Sequence, residues 1–185
     1  MRFNKPMSTE RKRLYPEKEF PPYAFVPGKN THPGKPGGHM EQEGDPVVAP
    51  MDPKKFWESE AFLYAIDLYN YGYYWEGHVW LEALWHEAHK EGLMGDFLKG
   101  LIKLCAAGVK AKTGQAEPVK GHAKRARELF INVGSKTHDQ YFAGFSLLNL
   151  VSHAEDIMEN AESLSQDASI EGPIFSLPIY PQNRA

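Results

Sequence analysis

The chain has 185 residues, 42% of them hydrophobic, 12% aromatic and 24% charged, an ordinary composition for one globular domain. No run approaches the roughly 20 apolar residues that a bilayer demands, and no apolar stretch follows the basic N-terminus as in a secretory signal, so a cytoplasmic protein with no membrane partner is expected. The single cysteine, Cys105, allows no internal disulfide and no paired-thiolate centre, which leaves His and carboxylate side chains as the ligands for any metal.

Net charge is −3, too small to indicate a polyanionic partner. Its distribution is uneven: residues 1–53 sum to +1, 54–98 to −5, 99–139 to +6 and 140–185 to −5. Facing helices of opposite charge are the expected use of such blocks, and an anion-binding middle is the other.

Prolines divide the chain. Ten precede Lys54, and only Pro118 lies between Lys54 and Gly172. Residues 1–52 carry Pro21-Pro22, Pro27-Gly28, His32-Pro33-Gly34 and Gly37-Gly38, signals of turns and extended chain that hold neither a helix nor a central strand. Phe20, Tyr23, Phe25 and Val26 supply enough apolar surface to hold this leader across a folded body, whereas about the first twenty residues are expected to fray.

The helical domain is placed at residues 53–165. Asp52-Pro53 is an N-cap followed by a proline at the first helical position, where its missing N–H costs nothing; the first helix is predicted to run to Tyr71 and stop at Gly72. The second is predicted over Tyr73 to Glu91 before Gly92, and the third over Asp96 to Lys112, capped by Asp96 and ended by Gly114. The fourth follows from Glu117 to Val133 and the fifth, the longest, from Asp139 to Ser163. No period-two alternation occurs between Lys54 and Ser165, so no strand is expected. Gly100, Leu104, Ala107 and Ala111 form a small-residue seam that places the third helix at the centre. The fold class is therefore all-α, a compact bundle of about five antiparallel helices. A Pro/Gly-rich extended leader precedes it, and residues 166–185, apolar but broken by proline, form an extended strap.

The second helix carries the chemistry. On an α-helical wheel His78, Glu82, Trp85 and His89 fall on one stripe, with His86 at its border and Leu81, Leu84 and Ala88 on the adjoining apolar face. An imidazole and a carboxylate one turn apart can share a metal ion, or can hydrogen-bond so that the carboxylate orients the ring. Stricter signatures fail: His86-Glu87-Ala88-His89 spaces its histidines at i, i+3 where the zincin helix needs i, i+4, and no Glu-x-x-His of the di-iron bundles occurs. A metal would need further imidazoles, and His32 and His39 in the leader or His153 on the fifth helix are available. Glu76 lies on the opposite side of the helix from His78, which assigns it to helix-start electrostatics or to a contact with another segment.

These residues resemble a known family. Tyr74-Trp75-Glu76-Gly77-His78 followed by Glu82-Ala83-Leu84-Trp85, then Phe97 to Leu104 continuing into Lys110 and Gly114, are similar to the two helix motifs of the domain of unknown function 309 family, and Tyr23 to His39 is similar to the leader of its longer members. The resemblance implies a small all-helical bundle, and some catalogue the family as predicted metal-dependent hydrolases. Gly77 stands where Ala is usual, Val79 where Glu is frequent, Lys103 where Gln is common and Gln115 where Asn is common. The substitution at Val79 removes one ligand or base.

Three functions compete. In the first, a divalent metal is held by His78, Glu82 and His89 with His32 or His39, and activates water toward an unidentified small-molecule substrate, His78 and Glu82 being the catalytic pair. In the second the cluster is a buried polar contact in a non-catalytic structural or ligand-binding module. In the third, Lys99, Lys103 and Lys110 on the third helix, with Lys120, Lys124, Arg125 and Arg127 on the fourth, bind phosphate or nucleic acid; the absence of a base-reading motif or stacking platform argues against nucleic acid. Cys105 reads as a buried small residue, and a homo-oligomer is left open.

Overall fold

In the computed structural model, residues 11–166 and 171–182 are described. Its elements are a 3-10 helix Pro53–Glu58 and helices α1 (Glu60–Asn70), α2 (Tyr74–Glu87), α3 (Gly92–Lys112) and α4 (Ala116–Thr137), followed by a hairpin of β1 (Tyr141–Phe142) and β2 (Phe145–Ser146), then α5 (Leu147–Glu159) and α6 (Ala161–Gln166). The fold is all-α apart from that hairpin.

Asp52 caps as expected, its side chain accepting from Lys54 N–H, but the first helix is not continuous. Lys55 leaves helical geometry and Ser59 starts a fresh helix by accepting from Phe62 N–H, because a serine beginning an apolar run is itself an N-cap. From Phe62 to Asn70 only Leu63 escapes full burial, so α1 is a core helix wrapped on all sides.

The third helix is central, as its small residues require. It begins at Gly92, four residues before the expected Asp96 cap; the Asp96 carboxylate instead accepts from Asn132 Nδ2 at 2.7 Å, which ties α3 to α4. On the seam Gly100 faces the Phe130 ring of α4, and beside it Gly108 faces the Tyr74 ring of α2, so closely that a Cβ at either would collide. Close approach of this kind is what glycine permits.

The expected fifth helix is three pieces. Ala143 and Gly144 both have positive φ, 46° and 77°, the signature of a tight two-residue hairpin turn, and they pair Phe142 with Phe145 and Tyr141 with Ser146. The turn places Phe142 and Phe145 against Phe97. Ser146 then caps α5 by accepting from Asn149 N–H, and α5 ends at Glu159 with Asn160 as its C-cap.

The leader is docked from Arg11 onward, not from Tyr23. Asp67 of α1, with no exposed surface, accepts from Arg13 Nε (2.9 Å), Leu14 N–H (2.7 Å) and Tyr15 N–H (2.9 Å). Arg13 also lies over the Phe20 ring. Only the first ten residues of the stretch expected to fray lie outside the described residues.

The tail is a strap as expected. Phe175 and Ile179 are buried, Tyr74 Oη accepts from Ile174 and Phe175 N–H, and Asn70 grips Ile179 with both ends of its amide, at 2.8 and 2.9 Å. Among the described residues no helix is long and apolar enough to cross a membrane.

Candidate functional site

Two faces of α2 carry the site residues. The leader from Phe25 to Val48 crosses α2, and beneath it α2 presents Trp75, His78, Val79, Glu82, Ala83 and His86 to a cavity of about 540 Å³ whose other wall includes His32, Met40 and residues 44–48. What holds the leader there is Glu76. Its Oε1 accepts from Phe25 N–H at 2.7 Å and pairs with His39 Nε2 at 3.0 Å, and both side chains are sealed from solvent, at 6% exposure for His39 and 2% for Glu76. Burial raises the Glu76 carboxyl above its ordinary range, while Phe25 N–H and His39 oppose the shift. A buried carboxylate paired with an imidazole and a backbone N–H is a strong, directional clasp.

Of the expected site residues, His78 and Glu82 are brought together as the one-turn spacing requires, with Nε2 and Oε1 3.5 Å apart and the side chains 30% and 37% exposed. That separation is long for a hydrogen bond, so it is a loose pair. The His78 imidazole is lowered chiefly by burial; Glu82 opposes this, and Lys99 and Lys103 reinforce it. The ring is thus held neutral at physiological pH, the state that can ligate a metal or accept a proton. Its Nδ1 is buried and has no hydrogen-bond partner.

His32 reaches the same cavity from the leader, stacked edge-on against Trp75 and Phe25 and accepting from Gly34 N–H through Nδ1. His39 is committed to Glu76 on the far side of the 40–48 segment. His89 does not join the stripe: α2 ends at Glu87, and His89 is exposed with φ 54°, so wheel geometry no longer applies to it. His153 is not in the wall of this cavity; its Nε2 lies 2.7 Å from Tyr69 Oη. Among the described residues no three or more His, Cys, Asp and Glu side chains converge on a point that could hold a metal ion. Cys105 is fully buried and its thiol is raised by desolvation.

Sequence reasoning missed the role of His39 with Glu76 and the place of His86 in the cavity wall. The signal for Glu76 was present: a carboxylate on the opposite side from His78 must meet something other than solvent if the leader covers that side, and a contact with another segment is what it makes.

Of the basic block, Lys120 pairs with Glu162 of α6 and Arg127 with Glu155 of α5, which is charge complementarity between the +6 and final −5 blocks, while Arg125 pairs within its own helix with Glu128. Lys99 instead lies over the Trp85 ring, 4.0 Å from its centre.

Residues 62–121 match the model of a family described as Domain of unknown function (DUF309). The match covers 60 of the chain's 185 residues. The matched segment begins inside α1 and ends inside α4, so it contains Glu76, His78 and Glu82 while His32, His39 and the tail lie outside it. No curated protein and no solved structure matches the chain.

Proposed function

We propose that this protein is a non-catalytic ligand-binding module, in which the cavity enclosed by the leader and α2 takes a small polar molecule. The observation that carries the reading is the clasp. Glu76 spends its buried charge on holding the leader down, and the leader in turn roofs the His78–Glu82 pair without filling the space above it. A neutral His78 and the neighbouring Glu82 side chain offer a ligand one ring nitrogen and one carboxyl group, with Trp75 as an apolar wall. A cytoplasmic setting accords with the reading.

The second reading, a divalent metal with hydrolytic water, is favoured by the neutral state of His78 and by His32, His86, Glu87 and Asp45 lining the same cavity. His78 and Glu82 would hold such an ion, which would supply Lewis acidity. Lys99 and Lys103 oppose it, because they add positive charge beside His78.

Both are tested on one preparation. Protein purified without a histidine tag is loaded in turn with Zn(II), Mn(II) and Fe(II), and its bound metal is measured, alongside NMR titration with a mixed library of small polar fragments. The ligand-module reading expects saturable shifts at Trp75, His78 and Ala83 that Glu82→Gln weakens, with no stoichiometric metal. A metal bound at one equivalent and lost in His78→Ala would replace it with the hydrolase reading.

A further inference from the structure

The positive charge of α3 is left unmatched. From Phe97 to Lys112 only Lys99, Lys103, Ala106, Val109 and Lys110 escape burial, and all but Val109 fall within an arc of about 60°. The surface strip of the central helix is thus a row of lysines with one small residue between the second and third. Among the described residues none of these three lysines has a carboxylate within ion-pair distance, whereas Lys120, Arg125, Arg127 and Lys136 of α4 each have one.

Both neighbouring helices bring an imidazole to this row. After burial, protonation of His78 on α2 is opposed by Lys99 and Lys103, and that of His122 on α4 by Lys103, Lys110 and His78 itself. Lys99, held over the Trp85 ring, is lowered by burial and then by Lys103. Lys103 is therefore the charge common to all three groups. Against them stands Glu82, which acts on His78 and Lys99; His78 also shares a cavity wall with His32 and Asp45 of the leader and with His86 and Glu87 of its own helix. Cations kept this close with so little countercharge repel one another, and a bound anion reverses that repulsion.

Spacing sets the size of the anion. Along the helix axis Lys99 and Lys103 are about 6 Å apart and Lys103 and Lys110 about 10 Å, so the row has two adjoining centres, one beside His78 and one beside His122. A lone phosphate meets one of them; a chain of linked phosphates meets both. Trp85 is occupied by Lys90 and Lys99, so it does not serve as the stacking platform that single-stranded nucleic acid uses, and a small molecule is favoured.

We propose that the lysine row of α3 binds a small molecule bearing a linear oligophosphate group, gripped by Lys99, Lys103 and Lys110 with His78 and His122 at its flanks. None of the three lysines lines the cavity under the leader, so the two sites are tested separately.

The test is an NMR titration of the full chain with inorganic triphosphate, following the ring Cε1–H resonances of His78 and His122, with orthophosphate, sulfate and an oligothymidine single strand as comparators. Triphosphate should bind saturably and about tenfold more tightly than orthophosphate or sulfate, and it should raise the titration midpoints of both rings by about half a pH unit or more. Lys103→Gln should weaken binding about tenfold and abolish both ring shifts. Lys99→Gln should diminish the shift at His78 alone, and Lys110→Gln that at His122 alone. Lys124→Gln, at an exposed lysine of α4 outside the row, should change nothing. Equal affinity for sulfate, unmoved imidazole midpoints, or as large a loss from Lys124→Gln as from Lys103→Gln would overturn the proposal, and tighter binding of the oligothymidine strand would replace it with a nucleic-acid surface.

Discussion

Gly77 and Gly108 sit on facing helices and differ in what a methyl group would meet. At Gly108 a Cβ would run into the Tyr74 ring, which is fully buried and held through its Oη by the tail, so Gly108→Ala should cost about 1–3 kcal/mol by overpacking. At Gly77 the nearest atoms, Ala65 O and Cys105 Sγ, would be 3.4 Å away; the helix-propensity gain of about 0.5–1 kcal/mol should offset that contact and leave Gly77→Ala within about 1 kcal/mol of the parent. Urea denaturation of both variants checks the pair, and equal costs would mean that the α2–α3 seam is looser than its geometry implies. His153 makes a different kind of prediction. Burial lowers its pKa from 6.5 to about 4, while the unfolded chain keeps the ordinary value. Between those two pH values the unfolded state binds the proton and the folded state does not, so this residue's contribution is intact above about pH 6.5 and falls away as pH drops toward 4. The loss is at most about 3 kcal/mol. His153→Gln, which keeps an acceptor for Tyr69 Oη, should flatten that portion of the stability profile between pH 7 and 4.5; a profile as steep as the parent's would show that other groups produce it.

Among the elements, boundaries set by local cap chemistry are legible in sequence, and breaks or pairings shaped by tertiary contact are not. Asp52, Gly72 and Gly114 marked their boundaries because cap chemistry is local. Ser59 was hidden inside an apolar run, and Ala143-Gly144 was read as helix interior because a two-residue turn between phenylalanines shows too little alternation to register as a hairpin. His78 with Glu82 was legible because it needs only helical spacing, whereas His39 with Glu76 spans 37 residues and no local pattern encodes it. Asp67 belongs with the second group: in sequence it is one charge in an amphipathic-looking helix, and in the fold it anchors the leader through three donors. Removing it as Asp67→Ala leaves Arg13 and two backbone N–H groups without their acceptor and should cost about 3–5 kcal/mol. By contrast Arg127→Ala breaks a pair whose partners are 38% and 42% exposed, and should cost less than about 1 kcal/mol. Thermal or chemical unfolding of the two variants side by side decides the matter, since similar losses would contradict the assignment of Asp67 as the anchor.

At the scale of the molecule, leader and tail are knitted to each other as well as to the bundle, and they meet at the C-terminal end of α1. Arg11 donates Nε to the Asn70 carbonyl and a terminal guanidinium nitrogen to the Phe175 and Ser176 carbonyls. The Tyr180 hydroxyl accepts from Lys12 N–H and donates to the Lys12 carbonyl, and Tyr71 Oη donates to the Arg11 carbonyl. Two segments at opposite ends of the sequence thus share one anchorage, which makes their docking cooperative. Asn70 is the place to separate them, because among the described residues its side chain holds the tail alone while its backbone carbonyl holds Arg11. Asn70→Ala leaves the Ile179 N–H and carbonyl unpaired in a buried setting, and each such group costs about 1–3 kcal/mol. The variant should therefore lose about 2–4 kcal/mol in denaturation. It should also speed hydrogen exchange at the Leu14 and Tyr15 amides, even though their own acceptor, Asp67, is untouched. Exchange at those two amides that stays at the parent rate while the tail is released would show that the leader docks independently, and that the roof over α2 is set by Asp67 and Glu76 alone.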